Sequence, residues 1–149
     1  MNIIQKHIAT FIGVGFAPKS SGTIASFAAI PLYLLLRKLS LPLYLFSIGK
    51  IVAAGVWACT EAEKEFGEDP SEAVIDEVAG MLIGLVSRTK DPKEIALAFL
   101  IFRAFDIIKP GIVGTLDKKV KGGLGIMADD IAAGVLTAVC MEIIRRIRR

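Results

Sequence analysis

Five carboxylates lie inside otherwise apolar, glycine-studded stretches of this chain. Asp76 and Glu77 precede Val78-Ala79-Gly80, Asp106 closes the run Phe102-Arg103-Ala104-Phe105, and Asp129 and Asp130 precede Ile131-Ala132-Ala133-Gly134. A carboxylate placed where the pattern asks for packing is costly unless it is paired, hydrogen-bonded or bound to a cation. Asp76 and Gly80 are four residues apart, as are Asp130 and Gly134, so in helices each glycine falls one turn along the face of its carboxylate. Small residues at those positions let two helices approach until acids from both share one hard cation. An all-oxygen set suits Mg²⁺, with Mn²⁺ as the alternative, and no Cys or His set competes for a softer metal. Adjacent acids on a helix point about 100° apart, so Glu77 and Asp130 are expected to lead Asp76 and Asp129. The competing reading is that acids at a helix start favour its dipole and cap free amides. It suits Asp129 and Asp130, after a glycine-rich loop, better than Asp76 and Glu77, because Glu72 occupies the expected first turn.

Arg103, Asp106 and Lys109 step by three residues and so share one helix face. Alone they make an intrahelical salt-bridge row; beside two acidic pairs they read as a phosphate grip, Arg offering a planar fork and Lys a point charge. Lys19, Ser21 and Thr23, in Gly-Phe-Ala-Pro-Lys-Ser-Ser-Gly-Thr, bring hydroxyls, free amides and a cation to a helix start, which makes an anion cradle or a plain cap. Walker spacing is absent. Other phosphate chemistries fail on their residues. Cys140 to Arg146 matches C-x₅-R but continues an amphipathic helix without glycine, there is no D-x-D-x-[TV] motif, and the single histidine, His7, leaves a phosphohistidine mechanism without its pair.

These groups need helices to position them. The 149 residues fit one domain spanning 1–149, and the apolar spacing predicts an all-α fold, a compact multihelical bundle of about five to seven helices with no significant sheet. Helices are expected over 23–39, bent or restarted at Pro31, then 43–66, 72–87, 93–109 and 127–147, with a glycine- and lysine-rich loop over 114–125. Hydrophobic residues make up 54% of the chain and the mean hydropathy is +0.61, so a membrane or a large helical interface is expected. Residues 41–59 have spanning length but carry Lys50, while 78–87 and 131–141 are too short alone. Integral or tight membrane association is favoured, with a soluble or peripheral form as the alternative, and self-association into a homo-oligomer is left open. The net charge of +3 is mild and the cations form no aromatic-interleaved stripe, which excludes nucleic acid. Lys118, Lys119, Lys121 and the cluster 145–149 suit an anionic membrane surface, or for the latter a helix end. Cys59 and Cys140 read as buried thiols of a reducing compartment, and no charged leader with a cleavage site opens the chain.

Taken together, four blocks resemble the phosphatidylglycerophosphatase A family: GFAPKSSGT at 15–23, DEVAG at 76–80, FRAFDIIKP at 102–110 and GGLGIMADDIAAG at 122–134. The chain departs from the family's usual pattern at Ser21-Gly22-Thr23, Ala25-Ser26 and the aliphatic run 81–83. The resemblance implies a Mg²⁺-dependent phosphomonoesterase of phospholipid synthesis acting on phosphatidylglycerophosphate at the cytoplasmic face of the bacterial inner membrane. It implies a catalytic set of Glu77, Asp130, Asp76, Asp129 and Arg103, with metal held by Glu77, Asp130, Asp76, Asp129 and Asp106. Phosphate would be gripped by Lys19, Ser21, Thr23, Arg103 and Lys109, with Gly123 in an open glycine loop letting backbone amides approach. The alternatives are a phosphatase for another phosphomonoester and a noncatalytic helical metal-binding or membrane-organising protein; a phosphatidyl transferase would need a D-G-x₂-A-R motif that is absent.

Overall fold

The computed structural model describes residues 1–148. These described residues form seven α-helices: α1 (Ile3–Ala9), α2 (Ser21–Leu36), α3 (Leu41–Phe66), α4 (Ile75–Gly84), α5 (Pro92–Ile108), α6 (Ile112–Lys119) and α7 (Gly122–Ile147), with a 3₁₀ turn at Val14–Phe16. No strand occurs among the described residues. Local chemistry starts several of them. Asn2 and Gln5 exchange side-chain and backbone hydrogen bonds in a capping box at α1. Asp91 caps α5 by accepting from the Lys93 amide, with Pro92 behind it in the first turn. Gly67 ends α3 at the expected residue, with φ at +103°.

The short helix α4 is the axis of the bundle. Eight of its residues, from Ile75 to Gly84, are buried, and α7, α2, α3 and α5 pack around it. Its crossing with α7 requires glycine. A Cβ on Gly80 would stand 2.6 Å from the Asp130 carbonyl oxygen and 2.5 Å from the Phe102 ring, and one on Gly134 would stand 2.4 Å from the Gly80 carbonyl oxygen. The two backbones thus meet without side chains between them, and the acids one turn away on each helix are brought face to face.

Three expectations shift. Pro31 does not break α2, which runs unbroken on either side of it. Proline removes one hydrogen bond to the preceding turn, and here it does so on the exposed side of the helix. The loop expected over 114–125 is mostly helix, because α6 and the first turn of α7 occupy it. Its glycines serve close packing: a Cβ on Gly123 would collide with Thr60 Oγ1 and the Val56 carbonyl oxygen of α3, each 2.3 Å away. Gly123 is buried in that contact, which corrects its expected place in an open phosphate-binding loop. Arg149, last of the C-terminal basic cluster, lies outside the described residues.

α3 and α7 are long and apolar enough to cross a membrane by length and composition, and only 22% of the apolar window of α3 is buried against 50% for α7. Leu43, Phe46 and Trp57 on α3 and Val139 and Ile143 on α7 are exposed. These helices support association with a membrane.

Candidate active site

At the α4–α7 crossing, Asp76, Glu77 and Asp130 each place a carboxylate oxygen within 4.8 Å of the other two. Asp76 and Asp130 are buried. No cation bonds to any of the three among the described residues, and Asp76 Oδ1 and Glu77 Oε2 are enclosed with no hydrogen-bond partner at all. Burial first, then the charges of Glu77 and Asp130, push the Asp76 carboxyl well above the ordinary aspartate range. Burial likewise raises Glu77, against the opposing influence of its hydrogen bond with Asp76 and of Arg103. Two buried acids and a half-buried one, with two orphaned oxygens among them and only hard donors, fit a divalent cation such as Mg²⁺ or Mn²⁺.

The helix-start reading falls on the other pair. Asp76 and Glu77 stand in the first turn of α4, which begins at Ile75 and not near Glu72. Asp130 is inside α7, two turns past its start at Gly122. Neither Asp76 nor Glu77 makes the side-chain cap bond that a capping role requires. Their first-turn position still matters, because the dipole favours negative charge there.

Arg103 and Asp106, on α5, complete one wall. Arg103 Nη1 donates to Asp106 Oδ2 in a tight ion pair and reaches Ser26 Oγ at 3.4 Å. Arg103 Nε is buried and unpartnered. Asp106 is held by this guanidinium and lies outside the three-oxygen cluster. The first turn of α2 forms the opposite wall. A Cβ on Gly22 would stand 2.0 Å from Glu77 Oε1 and 3.4 Å from Arg103 Nη1. Ser26 Oγ donates to the Gly22 carbonyl at 2.7 Å, and Ser21 Oγ donates to the Ser71 carbonyl at 2.8 Å. Thr23 is half-buried in the same turn, and Lys19 is exposed just before it.

Asp129 does not join the acids of its neighbour Asp130. Lys109 Nζ donates to Asp129 Oδ2 at 2.6 Å and also pairs with Asp117 of α6. Burial disfavours the Lys109 cation, but the hydrogen bonds to Asp117 and Asp129 outweigh it and hold its pKa above the ordinary lysine value. Asp129 as a metal ligand and Lys109 as a free phosphate grip therefore give way to a salt-bridged triad. Asp129, Asp117 and Lys118 line an open cavity of about 450 Å³ next to it. Two contributors escape a reading of spacing. Asp117 carries no pattern beyond its place among lysines, and Gly22 reads as one more residue of a helix start, although its lack of a side chain is what admits Glu77.

The model of the family described as Phosphatidylglycerophosphatase A matches residues 7–145. The chain belongs to this family. The phosphatidylglycerophosphatase A of Escherichia coli K12 is 39% identical over 133 residues, covering 88% of this chain and 77% of that protein. The Haemophilus influenzae phosphatidylglycerophosphatase A is 30% identical, with 89% and 83% covered. A Bacteroides thetaiotaomicron protein whose name provisionally assigns it phosphatidylinositol-3-phosphatase activity is 37% identical, with 93% and 91% covered. No solved structure matches the chain. Membership in the phosphatidylglycerophosphatase A family supports a phosphatase of phospholipid metabolism, and all four sequence blocks that carry the resemblance fall within the matched residues.

Proposed function

We propose that this protein hydrolyses phosphatidylglycerophosphate to phosphatidylglycerol and inorganic phosphate at the cytoplasmic face of a bacterial inner membrane, with Mg²⁺ as its cofactor. The observation that carries this reading is the buried, cation-free cluster of Asp76, Glu77 and Asp130 beside Arg103 and the glycine-opened start of α2. Asp76, Glu77 and Asp130 would hold the metal. Bound there, Mg²⁺ would supply charge neutralisation for a phosphomonoester dianion and polarise a phosphoryl oxygen. The remaining work falls to the chain's own groups. Arg103, whose Nε has no partner among the described residues, binds a phosphoryl oxygen. Asp106 holds that guanidinium in place. The hydroxyls of Ser21 and Thr23, the first-turn amides of α2 and Lys19 orient the phosphate against the positive end of that helix. Lys109 keeps Asp129 and Asp117 paired and fixes the α6–α7 corner. In the net reaction the bond from phosphorus to the lipid oxygen breaks, water adds to phosphorus, and a proton passes to the departing glycerol hydroxyl. The exposed apolar helices α2 and α3 support presentation of the lipid from a bilayer.

The Bacteroides relative favours one other substrate, a phosphoinositide monoester. Phosphate release from detergent-dispersed phosphatidylglycerophosphate, phosphatidylinositol 3-phosphate, phosphatidic acid and a soluble phosphomonoester, each with Mg²⁺ and with EDTA, tests both. Release from phosphatidylglycerophosphate at a kcat/KM at least tenfold above the others, abolished by EDTA, is the expected result. A preference for the inositol lipid would replace the substrate, and no release from any of the four would replace catalysis with a structural role for the acids.

A further inference from the structure

The far end of α2 carries a second feature with different chemistry. Pro31, Leu34 and Leu35 floor an open cleft of about 530 Å³, and Arg37, Lys38 and Lys90 rim it. The 16 residues of α2 make a rod of about 24 Å, so the cleft is a helix length from Gly22 and the acid cluster. The cleft is built, not incidental: the Tyr33 hydroxyl and Arg37 Nη1 both donate to the Thr89 carbonyl, at 2.7 and 3.1 Å, and so clamp the α4–α5 connection against the end of α2. That clamp puts Lys90 opposite Arg37 and Lys38.

Nearby carboxylates are already engaged. Asp91 spends its side chain capping α5, and Glu94 is held by Arg145 at 2.6 Å. Arg37, Lys38 and Lys90 form no ion pair among the described residues. The cleft therefore combines an excess of cations with an apolar floor, and Leu35 is 62% exposed on it. The floor continues along α2 through Phe27 and Ile24, also exposed, at the spacing of one helix face. A free anion would use the rim and leave the floor wet, and a neutral lipid would use the floor and leave the cations idle.

We infer that this cleft binds an anionic glycerophospholipid, its phosphate on Arg37, Lys38 and Lys90 and its acyl chain on Pro31, Leu34 and Leu35, at a site separate from the catalytic acids. The site holds lipid without turning it over, since no acidic cluster stands beside it among the described residues. It anchors the end of the bundle remote from the active centre to an anionic bilayer and makes stability respond to lipid composition.

The test uses the full chain in zwitterionic detergent, titrated with phosphatidylglycerol, phosphatidylcholine of the same acyl length, or inorganic phosphate, with the unfolding midpoint as readout. Wild type is expected to gain about 5 °C with phosphatidylglycerol and little with the other two. The double variant K38E/K90E, altered at two exposed positions, is expected to lose more than half of that gain while hydrolysing a soluble phosphomonoester at the wild-type rate. Because the binding readout does not depend on turnover, an inactive protein leaves this test intact. An undiminished gain in K38E/K90E, an equal gain with phosphatidylcholine, or the full gain with inorganic phosphate alone would each overturn the proposal.

Discussion

Two acidic groups stand a few residues apart in this bundle and are balanced in opposite ways. Asp129 and Asp117 close on Lys109, so each has a cation for a partner within the fold. Asp76 and Asp130 are buried and Glu77 half-buried, yet no cation among the described residues bonds to them and two of their oxygens touch no donor. A fold that pairs one set and leaves the other open separates a structural salt bridge from a binding site, even though Asp129 and Asp130 are consecutive. Burial and acidity alone do not distinguish them; partnership does.

The largest effect should follow from neutralising the open set. Glu77→Gln and Asp130→Asn are expected to lower kcat by about 10³-fold or more, several kcal/mol of transition-state stabilisation. Thermal unfolding of the metal-free variants should show midpoints equal to or above wild type, because an uncompensated buried charge has been removed. A fall in metal-free stability with either variant would place these residues with the structural set. Gly22→Ala comes next. Its methyl group would force Glu77 Oε1 aside from a 2.0 Å overlap, and activity should fall by about 10²-fold while circular dichroism stays that of wild type.

A smaller effect follows from pH. Burial raises the Asp76 carboxyl above its ordinary value, so the folded metal-free protein binds this proton more tightly than the unfolded chain does. Its contribution to stability is complete below the ordinary aspartate pKa, about 4, and is lost as pH rises from there through the raised value. Mg²⁺ must displace the proton, so stabilisation by the ion should grow over that same window. Urea titrations of wild type and Asp76→Asn at several pH values measure the difference, and a difference that does not change with pH would contradict the burial of an open acid. The smallest effect is expected at Asp129→Asn. Losing one partner of a half-exposed lysine should cost about 1 kcal/mol in urea unfolding, opposite in sign to Asp130→Asn, with turnover reduced by less than about tenfold.

Helices α2, α3, α4, α5 and α7 were legible because their spacing and punctuation agree with their packing. Gly67 stops α3 and Asp91-Pro92 starts α5 by chemistry confined to a few residues. The α6–α7 corner was not legible. Glycine lowers helix propensity, and only the approach of Thr60 and Val56, far away in sequence, explains why Gly123 is helical. At the site, the Asp-x₃-Gly grammar of residues 76–80 and 130–134 announced a close crossing that the structure contains. The division of labour between Asp129 and Asp130 could not be read, since two adjacent carboxylates look alike until Lys109 reaches one of them from another helix.

One consequence of α7 extends beyond its packing. The same unbroken helix carries Asp130 and Arg145, fifteen residues apart, or about 22 Å of rigid rod. Arg145 is tied to Glu94 of α5, so the rod fixes how far that ion pair stands from the reaction centre. Deleting one residue between them would shorten that distance by about 1.5 Å and swing Arg145 about 100° around the axis, away from Glu94, so length and phase of this segment are constrained together.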